Sequence, residues 1–125
     1  MLDHMGIAVR DVGRSRDFYL AVLAPLGYGI VMEAHPPGGH SYIGFGAMKP
    51  EFWIGDAAAR TGHLHVAFAA KDRASVDAFH AAALAAGGRD NGPPGLRPDY
   101  HPHYYAAFVF DPDGLNVEAV CHLPE

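Results

Sequence analysis

The chain repeats itself. Residues 4–27, HMGIAVRDVGRSRDFYLAVLAPLG, align with residues 65–88, HVAFAAKDRASVDAFHAAALAAGG, when the sequence is shifted by 61 positions. The identities are His4/His65, Ala8/Ala69, Asp11/Asp72, Phe18/Phe79, Ala21/Ala82, Leu23/Leu84, Ala24/Ala85 and Gly27/Gly88. The alanines are cheap matches in an Ala-rich helix; the His, Asp, Phe and Gly pairs are not. A duplication of this kind restricts the chain to two copies of one supersecondary unit. A small unit with an apolar sheet face and an open edge does not bury itself alone, so both copies are expected in one structure.

Each copy has the same local logic. Met5, Ile7 and Val9, and then Leu64, Val66 and Phe68, alternate with small or polar residues at the period of a half-buried strand. Asp11 and Asp72 follow where a helix N-cap belongs. Ser15, Phe18 and Val22 in one copy, and Val76, Phe79 and Ala83 in the other, share a helical face. Gly27 and Gly88 punctuate the helix ends. Three strands complete each copy, near 28–34, 40–46 and 51–55, then 89–92 (the weakest), 104–110 and 115–121. The predicted fold is α+β: two βαβββ modules, about 1–58 and 62–125, forming a curved, mostly antiparallel mixed sheet with helices outside. One domain, 1–125, is expected, with a short connector near 56–62. The Pro- and Gly-rich loops 35–39 and 92–103 stand out; the second is long for a compact domain, and such loops often carry function.

Composition closes several classes of function. The net charge is -5 and the nine Lys and Arg are scattered, which argues against a nucleic-acid surface. No segment approaches the roughly 20 apolar residues that span a bilayer, and the first residues lack the pattern of a signal peptide. One cysteine, Cys121, excludes an internal disulfide framework and fits a reducing, cytoplasmic setting. On strand parity it is a small core residue turned toward the helices. No phosphate-binding glycine loop, nucleophile elbow or closed zinc-finger spacing is present.

Strand parity also gathers polar groups. If the large apolar residues face the helices, then His4, Gly6 and Ala8, and His63, His65 and Ala67, face the other side. Glu118 shares that face on the last strand. Two imidazoles and one carboxylate, His4, His65 and Glu118, form a set that suits a divalent cation with open coordination positions. The alternative is that these histidines are hydrogen-bonded structural residues. Glu118 would then need another partner, because an unpaired carboxylate is costly to bury.

The C-terminal run FVFDPDGLNVEAV, residues 108–120, together with DHMGIAVRD at the start and HVAFAAKD in mid-chain, resembles the vicinal oxygen chelate superfamily, the glyoxalase, bleomycin-resistance and extradiol-dioxygenase group. The resemblance covers essentially the whole chain. It implies a small metalloenzyme in which a divalent ion (Fe, Mn, Zn or Ni) chelates vicinal oxygens of a small substrate, with lyase, isomerase or dioxygenase chemistry. It places ligands at His4, His65 and Glu118. A fourth would fall on the strand PEFWIGD, where Trp53 lies opposite Glu118; Glu51 reaches the position only if the register slips. Tryptophan is not a metal ligand, so the four-ligand glyoxalase I pattern is incomplete here. Bleomycin-binding relatives use the fold without metal and present an aromatic cleft, which Trp53, Tyr42, Tyr104 and Tyr105 would line; the alternative for these rings is ordinary packing. A third reading is an accessory domain without a retained site. The resemblance also implies a homodimer.

The loop RPDYHPHYYAAF, 97–108, supplies further candidates. His101 or His103 has the pKa range for general acid–base work, Tyr104 or Tyr105 can donate to an oxyanion, and Arg97 can pair with a carboxylate. The alternative is a solvated, Pro-stiffened loop. His63 is expected at the rim, His35, His40 and His80 at the surface, and His122 near a frayed C-terminus.

Overall fold

The computed structural model describes residues 1–57 and 62–125. Most of the connector expected near 56–62 lies outside the described residues. The element order is β1 (Met5–Ala8), α1 (Val12–Leu23) with a 3-10 turn at Ala24–Leu26, β2 (Gly29–Ala34), β3 (Tyr42–Gly46), β4 (Phe52–Gly55), β5 (His65–Ala69), α2 (Arg73–Ala85), β6 (Arg89–Leu96), β7 (Tyr105–Phe110) and β8 (Asn116–Cys121). This is βαβββ twice. The strands form two four-stranded sheets, ordered β1-β4-β3-β2 and β5-β8-β7-β6. In each, the first and last strands of the module pair in parallel and the rest are antiparallel.

The helices begin where a side chain can cap them. Asp11 accepts from the Arg14 amide and Asp72 from the Ser75 amide, satisfying one orphan N–H at each start. The Asp72 carboxyl also accepts from the Ser75 hydroxyl, and these bonds hold it below its ordinary value of 3.8. Removing the cap by Asp72→Ala is expected to lower the melting temperature by roughly 4 °C. A lowered carboxyl pKa stabilises the fold above the ordinary value and loses that effect as pH falls through the folded one. The wild type and the variant should therefore converge in thermal melts taken below that range.

The faces read from the sequence are the ones buried. Ser15, Phe18, Tyr19, Val22 and Leu23 of α1, and Ser75, Val76, Phe79 and Ala83 of α2, pack inward. They meet Ile7, Val9, Ile43, Phe45, Phe52 and Ile54 of the first sheet and Val66, Val109, Val117, Ala119 and Cys121 of the second in one cluster. The rings of Phe52 and Phe68, 5.1 Å apart and edge to face, join the two halves of that core.

The D-P-D-G segment is a structural clasp. Asp111 is buried; one carboxylate oxygen accepts from the amides of Asp113 and Leu115, at 2.9 and 2.8 Å, and the other from the Tyr19 hydroxyl of the first module at 2.6 Å. Asp113 in turn accepts from the Arg10 amide. The turn thus ties the last hairpin to the opposite module.

Two boundaries differ from the sequence reading. Strand β6 runs to Leu96, so the first five residues of the expected loop 92–103 are strand. Register shifts at Gly92 and Gly95 break the ladder there, and an edge strand tolerates Pro93 and Pro94, whose missing N–H groups are not needed for pairing. At the end of α2 the left-handed residue is Gly87, with φ of 91°, and not the repeat-matched Gly88. Gly88 is required for a different reason: a Cβ there would come within 2.9 Å of the Ala83 carbonyl and 2.8 Å of the Phe18 ring. Among the described residues, no helix is long and apolar enough to cross a membrane.

Candidate functional site

Each sheet has a face turned away from the helices, and these faces carry the polar residues. On the second module the register pairs Ala67 with Glu118 and Phe108 with Glu118. The small Ala67 leaves room beside the carboxylate. Glu118 is buried, and its two oxygens are both engaged: Oε1 accepts from the Tyr104 hydroxyl at 2.5 Å, and Oε2 faces His65 Nε2 at 2.9 Å. The other ring nitrogen of His65 lies 3.1 Å from the Asn116 carbonyl oxygen. A carbonyl only accepts, so Nδ1 carries the proton. Nε2 and the carboxylate then face each other as two electron-rich atoms unless a cation stands between them: a proton, making the ring an imidazolium, or a metal ion. That is the donor chemistry a divalent ion needs, with the second nitrogen already oriented by a backbone acceptor.

Neighbouring residues complete this face. Phe108 stacks on His65, with ring centroids 6.3 Å apart, and the Arg97 guanidinium lies over Phe108 at 5.5 Å while donating to the Pro93 carbonyl. The Tyr104 phenol is pushed up to about 12, first by burial and then by its bond to Glu118, so it stays a donor across the physiological range. His101 and His122 stack with centroids 4.9 Å apart, and both rings abut Tyr104 edge-on. The His103 amide donates to His101 Nδ1, which leaves Nε2 of His101 as the protonated nitrogen, 2.6 Å from His122 Nδ1.

The first module's open face differs in kind. His4, Gly6, Ala8, Tyr42 and Trp53 line a cavity of about 690 Å3. The register pairs Gly6 with Trp53, the same step that pairs Ala67 with Glu118, so Trp53 occupies the position equivalent to Glu118 without any slip. Glu51 precedes β4, where its amide and carbonyl bond Phe45 and Met5. His4 is exposed just before β1; its Nδ1 lies 2.8 Å from Asp3, which also pairs with Lys49. Those bonds, that of His4 first and then that of Lys49, hold the Asp3 carboxyl at about 2.

The structure therefore brings together His65, Glu118, Tyr104, Arg97 and the His101 loop on one module, and His4, Trp53 and Tyr42 on the other. It does not bring His4 to His65 and Glu118. Among the described residues, no group of three or more His, Cys, Asp and Glu side chains is disposed to hold a metal ion. Tyr105 is turned to the helix side, where its hydroxyl donates to Asp77 and the Arg73 guanidinium covers its ring. Strand alternation puts it opposite Cys121, on the face away from Glu118. Cys121 is buried among the core residues, as its parity required. His103 is exposed. His80, expected at the surface, is mostly covered and bonds Asp90 at 2.9 Å. Sequence reasoning missed Asn116, although it lies two residues before Glu118 on the same face, and His122, whose packing on Tyr104 depends on the path of the 97–104 loop.

The wider comparisons agree with this architecture. The family model of the Glyoxalase/Bleomycin resistance protein/Dioxygenase superfamily matches residues 1–119. A glyoxalase/bleomycin resistance protein from Albidiferax ferrireducens T118 is 29% identical, with a TM-score of 0.74 over 98% of this chain and 99% of that one. A glyoxylase/bleomycin resistance protein/dioxygenase domain from Frankia sp. EAN1pec is 16% identical, with a TM-score of 0.74 and 98% of each chain covered. Glyoxalase I from Zea mays, 20% identical, has the same fold with a TM-score of 0.72; 96% of this chain covers 45% of that one. No match is found among curated proteins. The duplicated βαβββ architecture and a family match over nearly the whole length give one conclusion: the chain belongs to the glyoxalase/bleomycin resistance protein/dioxygenase superfamily.

Proposed function

We propose that the protein is a small metal-dependent enzyme that holds a divalent ion through His65 and Glu118 and acts on a small substrate bearing two adjacent oxygens. One observation carries this reading. Both repeat-related histidines have Nδ1 tied to an acceptor, His65 to the Asn116 carbonyl and His4 to the Asp3 carboxylate, so in each Nε2 is the nitrogen left as a ligand, and that of His65 faces the Glu118 carboxylate. His4 is the third ligand in this proposal, contributed by a second copy of the chain in a homodimer. Among the described residues, strands β1 and β5 each pair on one side only, which leaves their outer edges for such an assembly. Iron, manganese, zinc and nickel all suit two imidazoles and a carboxylate.

When bound, the ion supplies Lewis acidity that stabilises an anion developing on the substrate oxygens. The protein's own groups do the remaining work. Tyr104 holds Glu118 in place through its hydroxyl, and Asn116 fixes the tautomer of His65. Arg97, over Phe108 beside His65, offers a charged fork to a substrate carboxylate. His101, coupled to His122, is the group placed to carry a proton at the rim, with His103 beside it on the same loop. That Lewis acidity would serve lyase, isomerase or dioxygenase chemistry alike.

The second reading is a metal-free protein that sequesters a small aromatic or antibiotic-like molecule. The cavity lined by Trp53 and Tyr42 favours it. Metal content of untagged protein, purified anaerobically, separates the two. The expected result is about one ion per chain in the wild type. His4→Ala and Glu118→Ala should each lose it, and an equimolar, subunit-exchanged mixture of those two variants should regain about a quarter of the wild-type content, because half of the dimers are hybrid and hold one intact site. Wild-type protein that takes up no ion on reconstitution sinks the metalloenzyme; variants that never complement sink the shared site.

A further inference from the structure

We propose that His101 and His122 form an acid-sensitive latch that closes the rim of the second module's open face and parts when both rings are protonated. That this face holds an ion rests on the function proposed above; the latch does not.

The hydrogen bonds of the pair assign its protons. His101 Nδ1 accepts from the His103 amide at 3.0 Å, so its ring proton sits on Nε2 and is donated to His122 Nδ1 at 2.6 Å. His122 then carries its own proton on Nε2. A donor thus occupies both basic nitrogens. A first added proton can enter at His101 Nδ1 by displacing the His103 amide, and the bond between the rings survives. A second must go to His122 Nδ1, where it meets the Nε2 proton of His101. The two rings, with centroids 4.9 Å apart, are then like charges stacked on each other.

Nothing around the pair offsets that charge. Among the described residues, His4, His35, His40, His65 and His80 each have a carboxylate within 3.6 Å, and neither ring of the pair has one. Tyr104 lies against both rings with Tyr100 packed on it, and the His103 ring centroid is 6.5 Å from that of His101. Glu118 is met by the Tyr104 hydroxyl, not by either imidazole of the pair. On the loop, Asp99 is exposed and Arg97 donates to the Pro93 carbonyl. On the C-terminal side, Cys121 is buried, and Glu125 is turned to α2, where it accepts from the Arg73 amide.

The latch joins the loop before β7 to the segment after β8. Tyr104, packed on both rings, is the residue whose hydroxyl holds Glu118, so closure keeps that phenol in place. The closed pair takes up one added proton and the open rings take two. Closure therefore weakens as pH falls through the ordinary range of histidine.

Amide hydrogen exchange, corrected for intrinsic rates, tests this in metal-free protein held in chelator. The reporters are the Arg97 and Tyr104 amides, which bond the Tyr104 and His101 carbonyls within the loop. Their protection is expected to fall at least about 10-fold between about pH 7.5 and about pH 5.5, the effect of one further proton taken up on opening. The Gly88 amide, bonded to the Ala83 carbonyl at the end of α2, should keep its protection. His122→Phe keeps a ring on Tyr104 but cannot take the second proton, and should flatten the change. Protection that does not vary with pH, a fall that His122→Phe retains, or a fall shared by Gly88 each overturns the latch. If His122→Phe does not fold, nitrogen-15 spectra of the wild-type imidazoles decide: Nδ1 must be the unprotonated nitrogen of both rings at neutral pH, and the other tautomer in either overturns the latch. Ion uptake measured separately keeps the two ideas apart. Protein that loads an ion but shows pH-independent protection defeats the latch and leaves the metalloenzyme; acid-sensitive protection in protein that takes up no ion supports the latch alone.

Discussion

Glu118→Ala is expected to weaken binding of a divalent cation by more than about 100-fold, the largest single effect foreseen at the site. The carboxylate has almost no access to water, and everything near it is arranged around its charge. Tyr104 donates to one oxygen and His65 Nε2 meets the other. Removing it would delete a proposed ligand and also release the two groups that meet its oxygens. A further readout distinguishes this from general damage. The phenol of Tyr104, pushed up to about 12 by burial and by Glu118, should fall toward the ordinary range in ultraviolet titration. A raised phenol pKa stabilises the fold below the unfolded value near 10 and loses that effect as pH climbs through about 12, so the alkaline limit of stability should move down in the variant. A variant that still binds the ion tightly would remove Glu118 from the site.

Asp111→Ala is expected to cost about 4 kcal/mol of stability with little direct effect on the open faces. The buried carboxylate accepts three hydrogen bonds, two from backbone amides of its own turn and one from Tyr19 across the module boundary. Bonds to a charged acceptor are the strong class, and alanine supplies nothing in return. Tyr19→Phe takes away one of the three and should cost about 1.5 kcal/mol. In the double variant the costs should fall short of their sum, because both changes break the same bond. Urea denaturation of the four proteins measures this. A near-neutral Asp111→Ala would mean that the D-P-D-G turn is held by backbone geometry alone.

The architecture was legible because the chain states it twice. Repeat-matched aspartates begin both helices, the paired Phe18 and Phe79 mark both core faces, and strand alternation separates His65 and Glu118 from Val117 and Ala119. What sequence could not give was the relation between modules. Parity places His4 and His65 on corresponding faces, yet corresponding faces of two sheets need not meet, and in one chain His4 stays apart from His65 and Glu118. Tyr105 was misjudged for a simpler reason. It follows Tyr104, and adjacent residues on an extended chain point opposite ways, so only one of them joins Glu118. Strand β6 was cut short because two prolines and two glycines argue against a strand, whereas at a sheet edge they cost little.

The exchange of Gly44 and Trp53 for Phe108 and Glu118 has a stereochemical consequence. A duplicated fold with matching halves offers any guest two poses related by a half-turn, equal in energy and productive only half the time. Here one half sets a buried carboxylate beside a phenylalanine and the other an indole beside a glycine. A guest that bridged both faces in the proposed dimer would satisfy each end in one sense only, so the divergence of the two copies would turn an ambivalent receptor into a handed one.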